Sequence, residues 1–145
     1  VGQSEGEHDE GRGEQADALA ALGELRGRYP SRPVLLGGYS FGSVVALRIA
    51  SKDSKSADSI LALGYPVNAI RNHGFLARVA NPTLFVQGEN DSFGDGEAIE
   101  NLVSGLPGPC ELAVVPEADH FFTDRIDEVE RAVEAWVGSL RPASL

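Results

Sequence analysis

Gly38-Tyr39-Ser40-Phe41-Gly42 is a G-x-S-x-G pentapeptide set between two readable segments. Val34-Leu35-Leu36-Gly37 before it is an apolar, strand-compatible run, and Ser43 to Ala50 after it is helix-compatible. A serine between a strand and a helix predicts a nucleophile elbow, a sharp and strained turn that pushes the hydroxyl into a cleft. Gly38 and Gly42 are expected because a Cβ at either position would strike the neighbouring strand or helix.

A serine hydroxyl needs a base, and the base an acid to orient it, in chain order Ser, Asp or Glu, His. Two later apolar runs, Thr83 to Gly88 and Glu111 to Pro116, end just before Glu89-Asn90-Asp91 and Ala118-Asp119-His120. Strand ends thus predict Asp91 as the acid and His120 as the base of Ser40, on the carboxyl edge where open αβ sheets carry their sites. Glu89 and Asp119 compete for the acid's role; Asp119 adjoins His120 and is badly placed to turn back onto that ring. His8 precedes the serine in a charged stretch, and His73 follows no strand end.

The rest of the chain supplies alternating elements. Ala18, Leu22, Leu25 and Tyr29 mark a helix from Glu14, stopped by Pro30. A strand over 34–37, a helix to Ser51, a short strand at Ile60–Gly64 and an ambiguous stretch over 67–81 follow. A helix over 96–106 precedes the last strand. Ile126, Val129, Val133, Trp136, Val137 and Leu140 form one apolar stripe of a final helix, expected to face the core. Residues 1–13 are Gly-rich and charged, and read as a loop or arm. Four strands alternating with helices imply an α/β three-layer sandwich with a mostly parallel sheet. The strand at 34–37 carries no charge to protect its outer edge, which predicts association through that edge, as a homo-oligomer (dimer) or with another chain.

The chain has 145 residues, enough for one domain. Its net charge of −10 argues against nucleic acid and anionic membrane surfaces as partners, and no apolar run approaches the roughly 20 residues of a membrane span. A cytoplasmic location is the expectation. The single Cys110 excludes an internal disulfide, offers no metal cluster, and reads as a small buried hydrophobe.

With these residues in place, the chain resembles the α/β-hydrolase superfamily, in particular small lidless bacterial hydrolases related to dienelactone hydrolase. Gly2 to Gly6, Gly38 to Gly42, Gln87-Gly88-Glu89-Asn90-Asp91 and Ala118 to Phe122 carry the resemblance. It implies Ser40 as nucleophile, Asp91 as acid and His120 as base, acting on small esters, thioesters or lactones through an acyl-enzyme with no metal or cofactor. The Phe41 amide is the implied oxyanion donor, and Tyr39, Tyr65 and Phe121 could shape the acyl pocket. Against that family the chain is truncated: four N-terminal strands, and the loop giving a second oxyanion donor, have no counterpart. Loss of such a donor costs about 100- to 1,000-fold in turnover, so a weak esterase and a silent fragment serving as an interaction module both stay open. So do a piece of a longer frame and a short protein starting at Val1, in a sequence with no methionine. An acyltransferase or perhydrolase would use the same triad.

Overall fold

A computed structural model describes residues 11–140. The order is α1 (Arg12–Arg28), β1 (Leu35–Tyr39), α2 (Phe41–Lys52), β2 (Ser59–Leu63), two 3₁₀ turns (Val67–Ala69 and Gly74–Arg78), β3 (Thr83–Gly88), α3 (Gly96–Ser104), β4 (Cys110–Val115) and α4 (Ile126–Ser139). The strands form one parallel sheet in the order β1-β2-β3-β4. Each return to the sheet is a crossover, so all four carboxyl ends reach the same edge.

Strand alternation sorts side chains onto two faces. Leu36, Ile60, Ala62, Phe85 and Leu112 pack under Val44 and Leu47 of α2 and Ile99 of α3. Leu22 of α1 joins Val34, Val45 and Ile49 beside α2. On the opposite face Leu84, Val86 and Val115 meet Val129 and Trp136 of α4. β3 is buried along its whole length, as a central parallel strand must be.

Several boundaries move. The first strand runs two residues beyond Gly37, to Tyr39, directly against the elbow serine. The stretch over 67–81, ambiguous in sequence, contains two 3₁₀ turns. The arm expected over 1–13 lies mostly outside the described residues, and Arg12 and Gly13 already belong to α1. The two apolar stripes are only partly core: Leu25 of α1 and Tyr29 just past its end, and Ile126 and Val137 of α4, are exposed. Cys110 packs at the margin of the core, and burial pushes its thiol up in pKa.

Candidate active site

The turn from β1 to α2 places Ser40 at φ 52°, ψ −119°. This left-handed φ costs a non-glycine residue about 1–3 kcal/mol and persists only where the surroundings enforce it. Here the Ser40 amide donates to the Leu63 carbonyl at 2.8 Å. The Ser40 carbonyl accepts from the Ser43 amide at 3.0 Å and the Ser43 hydroxyl at 2.6 Å. A Cβ on Gly38 would lie 2.1 Å from the Gly42 carbonyl oxygen, so α2 can start this close to β1 only over a glycine. Gly42 departs from expectation: a Cβ there meets nothing within 4 Å, because the residue borders an apolar cleft lined also by Ala18, Leu36, Phe41 and Val45.

The loops after β3 and β4 bring two further side chains to this turn. His120 Nε2 lies 2.9 Å from Ser40 Oγ, and His120 Nδ1 lies 2.8 Å from Asp91 Oδ2. A carboxylate only accepts, so Nδ1 carries the proton toward Asp91, and the ring's Nε2 accepts from the Ser40 hydroxyl. Asp91 and His120 are 2% and 5% exposed. Asp91 Oδ1 accepts from the Phe93 amide at 2.8 Å, and Oδ2 also accepts from Gln87 Nε2 at 3.0 Å. Gly88 permits the approach of the β4 loop, since a Cβ there would lie 2.4 Å from the Asp119 carbonyl.

The competing carboxylates have other partners. Glu89 accepts from the Glu117 amide at 2.8 Å and braces the loop after β4. Asp119 accepts from the Phe121 and Thr123 amides and the Thr123 hydroxyl. The Thr123 bonds, foremost, hold its carboxyl below the usual range. His73 Nδ1 pairs with the Tyr65 hydroxyl at 3.0 Å and takes no part in the bonds joining Ser40, His120 and Asp91.

Four aromatic side chains surround this turn. The rings of Phe93, Tyr39 and Phe121 stand 4.6, 5.3 and 5.5 Å from that of His120. They are 45%, 42% and 70% exposed, and Phe41 is also exposed. Tyr39 is anchored by its hydroxyl, which donates to the His120 carbonyl at 3.1 Å. Burial, then the charges of Asp91 and Asp119, raise its pKa and keep it a neutral donor.

Tyr65 is the exception among the expected pocket residues. Its side chain is fully buried in the core, edge-on to Phe85, and cannot line an open acyl pocket. It reaches the site only through its backbone carbonyl, which accepts from Gln87 at 3.2 Å. Sequence reasoning missed Phe93, Gln87 and Gly64. Gln87 had a visible signal, a lone amide directly after the apolar Leu84-Phe85-Val86. Gly64, at φ 55°, sits where a Cβ would come 3.4 Å from the His120 ring. The Gly2–Gly6 stretch lies outside the described residues. Among the described residues no group of three or more His, Cys, Asp or Glu side chains is placed to hold a metal ion, and no helix is long and apolar enough to cross a membrane.

Comparison with known proteins agrees with this architecture. An uncharacterized protein of Rickettsia prowazekii is 32% identical over 94% of the chain and 60% of its own length. A solved alpha-beta serine hydrolase homologue from Coxiella burnetii is 30% identical, with a TM-score of 0.81 over 97% of this chain and 65% of that one. A serine hydrolase without lid from Xanthomonas campestris is 28% identical, with a TM-score of 0.85 over 100% and 65%. The chain therefore spans less than two thirds of the length of each of these relatives. Residues 13–138 match the family model of the alpha/beta hydrolase domain, and the chain belongs to the alpha/beta hydrolase family.

Proposed function

We propose that the chain is a serine hydrolase of carboxylesterase type that cleaves small, short-acyl esters with Ser40, His120 and Asp91 as its triad. The observation that carries this reading is the unbroken line from Ser40 Oγ to His120 to Asp91, at 2.9 and 2.8 Å. Ser40 Oγ attacks the ester carbonyl carbon while its proton passes to His120 Nε2. Asp91 holds the imidazole and stabilises its charged form. The oxyanion faces the Phe41 amide at the first residue of α2, where the helix dipole favours negative charge. As the tetrahedral intermediate collapses, the C–O bond breaks and His120 returns the proton to the leaving alcohol. Water, deprotonated by His120, then releases the acid from Ser40. These steps require no cofactor.

Tyr39, Phe93 and Phe121 form an open rim on His120, suited to the apolar parts of a small ester. The test is turnover of a short-chain aryl ester by wild type and Ser40→Ala. The variant should lose at least about 1,000-fold in kcat; equal rates would remove this serine from the chemistry.

A second reading rests on β1, which pairs only with β2 among the described residues. In it the free edge, taking a strand of a second copy, is the functional surface and the triad is silent. An organophosphonate probe separates the two: Ser40 is labelled in the first reading and inert in the second.

A further inference from the structure

We propose that Gln87 is a positioning residue for Asp91, holding the acid's Oδ2 in line with His120. The inference rests on the triad reading above and extends it by one side chain.

Gln87 is the fifth residue of β3 and is fully buried. Its Nε2 faces three acceptors: the Gly94 carbonyl at 2.6 Å, Asp91 Oδ2 at 3.0 Å and the Tyr65 carbonyl at 3.2 Å. Three acceptors around one atom fix the amide's orientation, since the reverse flip would set oxygen against oxygen three times. Its Oε1 is buried without a hydrogen-bond partner among the described residues. A buried amide with half its bonding capacity unmet is a poor choice for packing alone. It is a good choice for delivering an N–H to a buried carboxylate.

The bond to Asp91 matters because of which oxygen it reaches. Oδ2 also accepts from His120 Nδ1, while Oδ1 is held by the Phe93 amide. Without Gln87, Oδ2 is held by His120 Nδ1 alone, and rotation of the carboxylate about its Cβ–Cγ bond is resisted only by that bond and by the Phe93 amide on Oδ1. The amide's two N–H groups are shared among Asp91 Oδ2 and the carbonyls of Gly94, in the loop after β3, and Tyr65, after β2. Gln87 thus couples the rigid central strand to the loop that carries the acid.

Gln87→Met removes the donor while keeping the length of the side chain. It should lower kcat for a short-chain aryl ester about 10- to 100-fold, the scale of a small misplacement of a reacting group, with KM unchanged. In an Asp91→Ala background the same substitution should cost nothing further. A loss of equal size in both backgrounds, or no loss in either, overturns the inference and leaves the triad reading standing. An Asp91→Ala rate equal to wild type removes both.

Gln87→Glu keeps the shape and decides the matter if Gln87→Met does not fold. Its carboxyl can donate to Asp91 only when protonated, so its rate relative to wild type should recover as pH falls. A ratio constant across pH would mean that Gln87 only fills space, and would overturn the inference.

Discussion

At the scale of single residues, the site depends on backbone that only particular side chains permit. Gly38 and Gly42 look equivalent in the pentapeptide, yet their surroundings differ. A methyl group on Gly38 would run into the Gly42 carbonyl, which is backbone and cannot yield without moving α2. Gly38→Ala should therefore destabilise the fold by about 3 kcal/mol or more and abolish labelling of Ser40. Gly42→Ala has open space, and alanine is the better helix former, so its thermal midpoint should equal or exceed that of wild type. Paired melting curves check the contrast, and equal losses would show that the elbow is held in some other way. Tyr65 carries a prediction of a different kind. Burial raises its phenol pKa strongly, against a smaller lowering by Arg48. Above pH about 10 the unfolded chain releases this proton while the folded chain retains it, so stability is complete below that pH and declines as pH rises. Tyr65→Phe should flatten this alkaline decline in a urea titration series; an unchanged slope would assign it to other groups.

At the scale of elements, α4 is held by few contacts. Val129 and Trp136 are its buried side chains, and Trp136 packs into the cluster formed by Leu84, Val86 and Val115. Trp136→Ala should cost about 3–5 kcal/mol, read as a fall in the urea midpoint. A much smaller cost would mean that α4 is peripheral to the sheet. Elements of this kind were legible because their signals are local: the apolar runs of β3 and β4, the elbow glycines, and the stop at Pro30. The order of Ser40, Asp91 and His120 along the chain was legible for the same reason, since each follows a strand end. What escaped depends on where elements meet. The stripes of α1 and α4 overstate the core because periodicity gives a face, not the width of the neighbour that covers it. Tyr65 follows a strand carboxyl end as Asp91 does, but its side chain turns inward against Phe85. Phe93 and Gln87 acquire their importance only once the loop after β3 folds back on that strand. The Asp95 side chain, which caps α3 by accepting from the Ala98 amide at 2.9 Å, is a case where a local signal was present and unread.

At the scale of the whole molecule, the sheet is asymmetric. β3 is enclosed on both faces, whereas β1 shows an exposed, alternating pattern and pairs on one side only among the described residues. Leu35 and Tyr39 are exposed at the β1 end of the sheet face on which α4 packs, and the apolar cleft beside Leu36 and Phe41 runs along the same strand on the other face. The strand contains no charge, no proline and no bulge to discourage pairing. The opposite edge is better guarded, since β4 carries Glu111. Among the described residues the outer edge of β1 is unpaired over five residues and lies next to apolar surface, which favours addition of a strand, and a second copy offers the same edge. The net charge of −10 opposes this at low ionic strength and less so as salt screens it. Association should therefore strengthen between low and physiological salt, visible as a concentration-dependent rise in mass by light scattering. Leu35→Lys, which places a charge on the exposed face of β1, should return the protein to a monomer with its fold intact. A strict monomer at high concentration and moderate salt would show instead that the outer edge of β1 does not recruit a second copy.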